Sequence, residues 1–448
     1  MENGYWDSLP MPGDLQVVVL MGGLGSRLGK EAGKRPKALA DVNGTPFFDY
    51  QLRLLISYGF RKFLFLVGHM AEQIEEHYRD GSGYGVNIAY SYDGEKLLGT
   101  GGAVGRAYEK LEEDFLLLYG DSFMDVDYRE TIYRYFRGKR IGCHALMTVM
   151  ENDDSLERSN VIYKEGRILL YDKCSQKAGM HYVDYGVGMF GKHLFRDCGG
   201  ESFFDMADLQ KRLSLEGKLA AQEVTRRFYE IGHPESLLEF KQYAKRRFGQ
   251  PQKAVFLDRD GVINNIVYRE ETEQLDSPLK KNEAELTEGA ADAMKILQQE
   301  GYYLFIVTNQ PAAAKGKAIL ADLYDVNTYL GKLLKENGVF IDGVEICPHY
   351  PEASAHVQER FLIGNCRCRK PGTGMVDALA GRFSLDRGES WMVGDSYTDI
   401  LAGRKAGLRT AFIGNYKCDV CRCLRYEKPD MICRSLADFT YRVKERKI

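Results

Sequence analysis

The stretch VVVLMGGLGSRLGK, Val17–Lys30, sets an apolar, strand-like run directly before a glycine-rich turn that carries a single arginine. Such a turn between a strand and a helix leaves backbone N–H groups free to face phosphate oxygens, and the missing side chains let the phosphates come close. A structural glycine turn with a solvated arginine explains the loop alone equally well. The stretch therefore indicates an α/β fold with a candidate phosphate-binding loop after its first strand.

Two familiar phosphate-binding loops do not match this stretch. The P-loop needs Ser or Thr after its Gly-Lys pair, but Glu31 follows Gly29-Lys30. The dinucleotide fingerprint needs a third glycine where this chain has Leu28. What remains is the pattern G-G-x-G-S-R-L at residues 22–28. Its Arg27 can bond a triphosphate through two parallel hydrogen bonds, and Lys37, a little further along the chain, can add a point charge.

Length and composition limit the class of protein. A chain of 448 residues is too long for one core, so two or three domains are expected. Apolar residues make up 44% and charged residues 28%, as in soluble globular proteins. The net charge is -3, and neither a basic block nor a signal or membrane-spanning segment is seen. We therefore expect a cytoplasmic protein without nucleic-acid or membrane partners.

Strand-like apolar runs alternate with helical patterns, which is typical of parallel sheets with crossover helices. The rhythm starts again at KAVFLDRDG, after the Gly-Gln-Pro at positions 249–251. The sequence therefore predicts two α/β domains in series, 14–247 and 253–440, each a mostly parallel sheet flanked by helices.

Four segments of the first half are similar, in the same order, to the signature segments of sugar-1-phosphate nucleotidyltransferases, which have a Rossmann-like fold. They are VVVLMGGLGSRLGKEAGKRPKALADVNGTPFFDY, VGHMAEQIEEHYRDGSGYGVNIAYSYDGEKLLGTGGAV, LLLYGDSF and FYEIGHPESLLEF. The similarity spans nearly all of residues 14–245 and is greatest to the heptose- and mannose-1-phosphate guanylyltransferase branch.

This resemblance implies that the phosphate oxygen of a sugar 1-phosphate attacks the α-phosphorus of a nucleoside triphosphate, expected to be GTP, and that pyrophosphate leaves. Positioning and charge neutralisation by Mg²⁺, Arg27 and Lys37 supply most of the catalysis. The implied contacts are Gly22, Gly23, Gly25, Ser26, Arg27 and Lys37 with the nucleotide, Gly99, Thr100, Gly101 and Gly102 near base and ribose, Asp121 and Glu230 with Mg²⁺, Lys173 with the sugar phosphate, and Asp184 with a sugar hydroxyl.

Three positions depart from the pattern of that family. Glu230 stands where Asp is usual, and a longer carboxylate can still reach a metal. The chain has DKC at 172–174 in place of EKP, and Ala38 in place of Pro after Lys37. The last two leave the sugar and the detailed phosphate contacts open.

The second half carries a different chemistry. In AVFLDRDGVI, residues 254–263, Asp258 and Asp260 are two positions apart at a strand exit, so both carboxylates are expected on one face. With VTNQ, RKP and GDSYTD in that order, the segment resembles the haloacid dehalogenase phosphatases, whose domain is Rossmannoid. A D-x-D at a strand end often occurs by chance, but four ordered motifs do not.

By this resemblance Asp258 attacks phosphorus to form an aspartyl-phosphate, while Asp260 protonates the leaving alkoxide and then activates water. The resemblance also implies that Thr308 and Asn309 bond the phosphoryl oxygens and that Lys370 neutralises their charge. Asp395 would bind Mg²⁺ together with Asp258 and the Asp260 carbonyl, and Asp399 would support these metal ligands.

Between these motifs lie Cys347, His349, Cys366 and Cys368, as a C-x-H arm and a C-x-C arm. Three thiolates and an imidazole make a closed tetrahedral zinc set, expected to hold the loop between the arms close to Lys370. Chance thiols beside a histidine are the alternative. A zinc loop here resembles histidinol-phosphate phosphatase and heptose 1,7-bisphosphate 7-phosphatase; the long gap between the arms favours the latter, although PAAAKG at 311–316 replaces that branch's usual S-G-I-x-R-G.

The four remaining cysteines of the C-terminal part are Cys418, Cys421, Cys423 and Cys433. They could bind a second metal, but reduced thiols are the preferred interpretation. His69 and His233 are expected to be packing or surface residues.

Both resemblances point to one pathway, because removal of the 7-phosphate from heptose 1,7-bisphosphate gives the heptose 1-phosphate that a guanylyltransferase consumes. We therefore expect a bifunctional enzyme of GDP-heptose biosynthesis that needs Mg²⁺ at both sites and structural Zn²⁺. The alternatives are the same chemistries on a hexose or modified heptose, or a nucleotide-sugar-sensing first domain that regulates the phosphatase.

Overall fold

A computed structural model of the chain describes residues 5–22, 35–94, 98–198, 203–352, 356–414 and 427–445. The chain divides into two compact units. The first unit is Leu9–Lys245, and the second unit comprises Met1–Ser8 and Arg246–Ile448. Within the described ranges, every helix is too short or too polar to span a bilayer.

The first unit contains a large mixed sheet and its covering helices. Its strands are β1 Gln16–Leu20, β2 Asp41–Val42, β3 Thr45–Pro46, β4 Lys62–Val67, β5 Asn87–Tyr92, β6 Asp114–Tyr119, β7 Ser122–Phe123, β8 Ala145–Glu151, β9 Val161–Lys164, β10 Arg167–Tyr171, β11 Tyr182–Gly191, β12 Leu219–Val224 and β13 Tyr229–Glu230. Its helices are α1 Phe47–Tyr58, α2 Ala71–Tyr78, α3 Gly99–Arg106, α4 Tyr128–Arg140, α5 Met206–Leu215 and α6 Pro234–Phe248, the last of which continues into the second unit.

The strand order of this sheet, over the described residues, is β5-β4-β1-β6-β11-β8-β12-β10-β9. The strands from β5 to β6 are parallel, with Val17 of β1 opposite Phe63 of β4 and Leu116 of β6. Strand β1 is apolar and buried on both faces, as is usual when helices cover both sides of a parallel sheet. Strand β11 then runs antiparallel to both β6 and β8. The carboxyl ends of β1, β4, β5 and β6 therefore share one edge.

The second unit is built on a smaller sheet. Its strands are β14 Ala254–Leu257, β15 Val267–Arg269, β16 Gln274–Asp276, β17 Tyr303–Asn309, β18 Gly343–Cys347, β19 Trp391–Gly394, β20 Arg409–Ile413 and β21 Met431–Cys433. Its helices are α7 Ala290–Gln299, α8 Leu320–Glu336, α9 Gly374–Arg382, α10 Tyr397–Lys405 and α11 Leu436–Glu445.

The order of the main strands, among the described residues, is β18-β17-β14-β19-β20-β21, and all these pairings are parallel. Two clusters of buried apolar residues fill the sheet's two faces, one around Leu257 and Trp391 and one around Phe256 and Met392. The predicted fold class, two α/β units with helix-flanked sheets, is confirmed.

A short N-terminal segment, Tyr5–Ser8, belongs to the second unit although it precedes the first. The backbone N–H of Trp6 donates to the Gln358 carbonyl at 2.8 Å, and the Phe361 N–H donates to the Trp6 carbonyl at 3.3 Å. The Trp6 and Phe361 rings meet edge to face, with centroids 5.0 Å apart. The loop between the two Cys/His arms is thus paired with the start of the chain.

Candidate active sites

The shared edge of β1, β5 and β6 borders a cavity of about 300 Å³ in the first unit. Ligands of open α/β sheets bind at the carboxyl ends of strands, so this is where a substrate is expected. The lining residues include Gly22, Lys37, Ala38, Asp93, Gly99, Thr100, Tyr119 and Asp121. The predicted contacts Gly23, Gly25, Ser26 and Arg27 lie outside the described residues.

Two carboxylates and a lysine lie together at the β6 side of this cavity. The Lys37 Nζ lies 2.8 Å from Asp121 Oδ2. The β7–β13 pairing sets Glu230 opposite Ser122, and the Ile231 N–H donates to the Asp121 carbonyl at 3.0 Å. Burial and the nearby Asp121 charge raise the pKa of Glu230, while Lys37 and Lys173 act against this. The pair of carboxylates is suited to hold a divalent cation.

The glycines at the start of α3 allow close packing against the chain at 203–206. Gly99 has φ +74°, and a Cβ there would stand 2.6 Å from the Phe204 carbonyl oxygen. A Cβ on Gly101 would stand 2.4 Å from the Phe204 ring. The Thr100 hydroxyl donates to Asp205 Oδ1 at 3.0 Å. The packing alone accounts for glycine at 99 and 101, while Gly99 and Thr100 also line the cavity.

Asp184 sits at an irregularity of β11. The register against β8 shifts between Asp184 and Gly188, and Gly186, with φ +92°, donates its N–H to Asp184 Oδ1 at 2.9 Å. Bulges of this kind re-aim side chains beside active sites. Burial raises the pKa of Asp184 to about 6, against the lowering effects of the Gly186 N–H and the Lys173 charge. The Lys173 charge therefore lowers the pKa of both Asp184 and Glu230.

This buried carboxylate gives a stability prediction. In the folded protein Asp184 ionises near 6, whereas its ordinary pKa is 3.8. Between these values the unfolded chain has already lost its proton, so this group lowers the free energy of unfolding as pH rises from about 4 through about 6. Asp184→Asn should therefore raise the melting temperature more at about pH 8 than at about pH 5. Thermal unfolding at both pH values tests this, and equal shifts would contradict it.

In the second unit Asp258 follows β14 and Lys370 lies beside it. The Lys370 Nζ lies 2.8 Å from Asp258 Oδ1 and 2.6 Å from Asp399 Oδ1, and it donates to the Val307 carbonyl at 2.9 Å. Lys370 is only 4% exposed, so the two anions compensate its burial. Oxygens of Asp258, Asp395 and Asp399 lie within 4.8 Å of one another, a set that could hold a metal ion. Burial and the Asp258 charge raise the pKa of Asp395 to about 7.

Asp260 does not join that carboxylate set. The Arg259 guanidinium donates to Asp260 Oδ1 at 3.0 and 3.1 Å, the Asn264 amide donates to Oδ1 at 3.0 Å, and the Gln310 amide donates to Oδ2 at 2.5 Å. The strand ends at Leu257, so the same-face rule for residues two apart does not extend to these side chains. The Asp260 side chain is therefore held apart from the set of Asp258, Asp395 and Asp399.

Thr308 and Asn309 end β17 beside this group. The Thr308 hydroxyl accepts from the Gln310 amide at 3.0 Å. The Asn309 amide donates to the Lys370 carbonyl at 3.1 Å and accepts from the Lys370 N–H at 2.9 Å. Asn309 therefore clamps the backbone of the lysine loop. Sequence reasoning did not identify Arg259 and Gln310, although an arginine between two motif aspartates was the available signal.

The predicted Cys/His residues come together in the second unit. Cys347 Sγ lies 3.5 Å from Cys366 Sγ and 3.2 Å from Cys368 Sγ, and the His349 Nδ1 lies 3.8 Å from Cys347 and 3.3 Å from Cys368. A tetrahedral metal with metal–sulfur bonds of about 2.3 Å has ligand separations of roughly 3.8 Å. The four atoms are therefore placed to hold one ion.

The other C-terminal cysteines and the two histidines considered in the sequence differ in where they lie. Cys433 is buried in β21. Cys418, Cys421 and Cys423 lie outside the described residues. His69 and His233 are exposed, in line with a surface role.

Comparisons with known proteins give a family match in each of the two units. The nucleotidyl transferase family matches residues 16–245, and the HAD-hydrolase-like family matches residues 367–439. A D-glycero-beta-D-manno-heptose-1,7-bisphosphate 7-phosphatase of Haemophilus ducreyi is 37% identical over 160 residues, which are 36% of this chain and 81% of that protein.

Two further proteins are similar. The enzyme of the same name from Escherichia coli strain K12 is 32% identical over 202 residues, covering 43% of this chain and 94% of that protein. The solved structure of HddC from Yersinia pseudotuberculosis is 22% identical with a TM-score of 0.44, covering 51% of this chain and 99% of that chain.

Proposed function

Because this chain belongs to the nucleotidyl transferase family through residues 16–245, and also to the family of the heptose-1,7-bisphosphate 7-phosphatases, we propose that it makes a nucleotide-activated heptose in two steps. The second unit removes the 7-phosphate of D-glycero-D-manno-heptose 1,7-bisphosphate. The first unit joins the resulting heptose 1-phosphate to the nucleotidyl group of GTP. The observation that carries the proposal is one chain with both sites, because the product of one is a substrate of the other.

In the phosphatase step, Asp258 is the proposed nucleophile. Its Oδ1 already accepts from Lys370 and from the Arg259 N–H, which leaves Oδ2 to attack phosphorus. The new Oδ2–phosphorus bond forms as the ester oxygen–phosphorus bond breaks, and Asp260 gives its proton to the departing alkoxide. Asp260 then takes a proton from water, whose oxygen attacks phosphorus and frees Asp258. Lys370 supplies positive charge to the phosphoryl oxygens, and Asn309 fixes the backbone of Lys370 through two hydrogen bonds.

In the transfer step, an oxygen of heptose 1-phosphate bonds to the α-phosphorus while the bond to the pyrophosphate oxygen breaks. Lys37, beside Asp121, supplies positive charge where the transition state gains negative charge. Lys173 and Asp184 receive the sugar phosphate and a sugar hydroxyl. Asp121 and Glu230 in this site, and Asp258 and Asp395 in the other, would hold Mg²⁺, which neutralises phosphate charge.

A cluster of cations beside the second site supports a bisphosphate substrate. Lys315 Nζ lies 4.4 Å from the centroid of the Tyr350 ring, and the Arg369 guanidinium lies 5.3 Å from it. Burial, together with the charges of Arg369 and Lys317, lowers the pKa of Lys315. Like charges held together in this way are stabilised by an anion. We assign them to the phosphate that is not cleaved.

The experiment uses the purified full chain with Mg²⁺, heptose 1,7-bisphosphate and GTP. Phosphate should appear before pyrophosphate, and pyrophosphate should need both the sugar and GTP. A panel of hexose and heptose phosphates identifies the preferred sugar. Phosphate release without pyrophosphate release from any pairing would instead favour a sensing role for the first unit, and release of neither would refute the proposal.

Zinc at Cys347, His349, Cys366 and Cys368 gives a further prediction. Lys370 follows Cys368 by two residues, so loss of the metal should displace the lysine and lower the phosphatase kcat/KM by at least about tenfold. Cys366→Ser and chelator treatment should both show this loss in parallel with the zinc content. Nucleotidyl transfer from separately supplied heptose 1-phosphate serves as the internal control. A zinc-free protein with full phosphatase activity would contradict the assignment.

A further inference from the structure

The segment Tyr5–Ser8, here called the N-terminal strap, packs in the second unit on residues 356–363, here called the arm loop because they lie between the two Cys/His arms. Trp6 forms an isolated parallel β-bridge with the arm loop, and its ring meets the Phe361 ring edge to face. The Arg360 guanidinium lies 3.4 Å from the centroid of the Tyr5 ring. Backbone hydrogen bonds, a ring pair and a cation–ring contact therefore hold the strap on this loop.

The arm loop also lies against the chain that follows Lys315. A Cβ on Gly316, which has φ +71°, would stand 2.8 Å from the backbone carbonyl carbon of His356. The buried Glu359 carboxylate accepts from the Leu320 N–H at 2.8 Å, where helix α8 begins. The position of Lys315 therefore depends on where the arm loop lies.

Tyr350 connects the arm loop to the cation cluster. The Tyr350 N–H donates to the Leu362 carbonyl at 3.2 Å, and the Gly364 N–H donates to the Tyr350 carbonyl at 2.9 Å. The Tyr350 ring is the one that Lys315 and Arg369 both approach. Two cations repel each other, and holding them in place before an anion arrives lowers the cost of binding it. One continuous set of contacts thus runs from the strap to these two cations.

We propose that the N-terminal strap is a specificity element of the phosphatase. By fixing the arm loop, it holds Lys315, Tyr350 and Arg369 in the arrangement that receives the phosphate that is not cleaved. This inference rests on the proposed phosphatase step and deepens it by naming what keeps the second phosphate site in shape. Trp6 is a positioning residue, because it acts through the arm loop and not on the reacting phosphate at Asp258.

The test measures kcat and KM of the full chain for heptose 1,7-bisphosphate and for heptose 7-phosphate, which lacks the second phosphate. In Trp6→Ala, at equal zinc content, the ratio of the two kcat/KM values should fall about fivefold, the scale of one lost aromatic pair. The fall should come from a higher KM for the bisphosphate, with kcat within about twofold of wild type. The ratio is independent of the fraction of folded protein.

Two further variants sharpen this test. Trp6→Phe keeps an aromatic ring beside Phe361, so it should keep the ratio within about twofold of wild type. Phe340→Ala removes an aromatic side chain that is 61% exposed elsewhere in the second unit, and it should leave the ratio unchanged. An equal loss with both substrates in Trp6→Ala would make the strap merely structural and overturn the inference, as would an unchanged ratio.

A separate measurement tests the strap if the proposed substrate is wrong. Wild type that hydrolyses heptose 7-phosphate as efficiently as the bisphosphate, or hydrolyses neither, would refute the proposed substrate. Hydrogen exchange then follows the Lys315 and Lys317 amides, which donate to the Pro311 and Ala312 carbonyls. Faster exchange of both amides in Trp6→Ala would support the positioning role, because these bonds open more often when the arm loop is loosened. Unchanged exchange would overturn it.

Discussion

Asp258→Asn should abolish phosphate release, with kcat/KM lowered by at least about 10⁴-fold, while nucleotidyl transfer continues. The reason is that an amide is a far weaker nucleophile than a carboxylate. Asparagine has nearly the same shape and can still accept from the Arg259 N–H, and Lys370 keeps Asp399 as a partner. The loss is therefore expected in a folded protein.

The measurement follows phosphate from heptose 1,7-bisphosphate and pyrophosphate from GTP plus separately supplied heptose 1-phosphate, on one preparation. Pyrophosphate release should stay within about twofold of wild type. Asp292→Asn, at an exposed carboxylate on α7, is the matched control and should retain both activities. Phosphate release above a tenth of wild type in the Asp258 variant would place the nucleophile elsewhere.

Asp121→Asn should have the reverse effect. Asp121 is a proposed cation ligand and the partner of Lys37 at 2.8 Å, so its loss should weaken metal binding and free the lysine from its fixed position. Pyrophosphate release should fall at least about 10³-fold, the scale of a lost transition-state charge contact. Phosphate release from the bisphosphate should be unchanged, because Asp258 and Lys370 belong to the other unit.

Glu72→Gln, at an exposed carboxylate on α2, controls for the change of charge. Retention of more than a tenth of the transfer activity in Asp121→Asn would remove Asp121 from the metal site. A matching loss of phosphatase activity would show that the two sites are not independent. Together the two variants assign each product to one unit.

The sequence was sufficient for the parts of the fold that depend on local pattern. The runs ending at Leu20 and Leu257 are strands buried on both faces, and the chemistry-bearing residues follow them directly. The antiparallel position of β11, between β6 and β8, could not be predicted, because pairing direction depends on contacts between distant segments.

The same limit applies to the sites. The Cys/His set was recognisable from spacing, and its sulfur and nitrogen atoms do come together. The separation of Asp260 from Asp258 was not recognisable from the sequence, because Gln310, which bonds Asp260, follows β17 fifty residues further along the chain. Asp93 lies within one of the quoted signature segments but was given no role there, because only the fold brings it beside Gly22.

The pairing of Trp6 with the chain at 358–361 has a practical consequence for anyone who wishes to separate the two activities. A phosphatase expressed from residue 253 onward would lack Trp6, whose backbone pairs with the metal-binding loop and whose ring packs against Phe361. The first unit is, in chain order, an insert within the second. A shortened enzyme should therefore graft residues 5–8 back onto the excised half rather than simply begin at the junction.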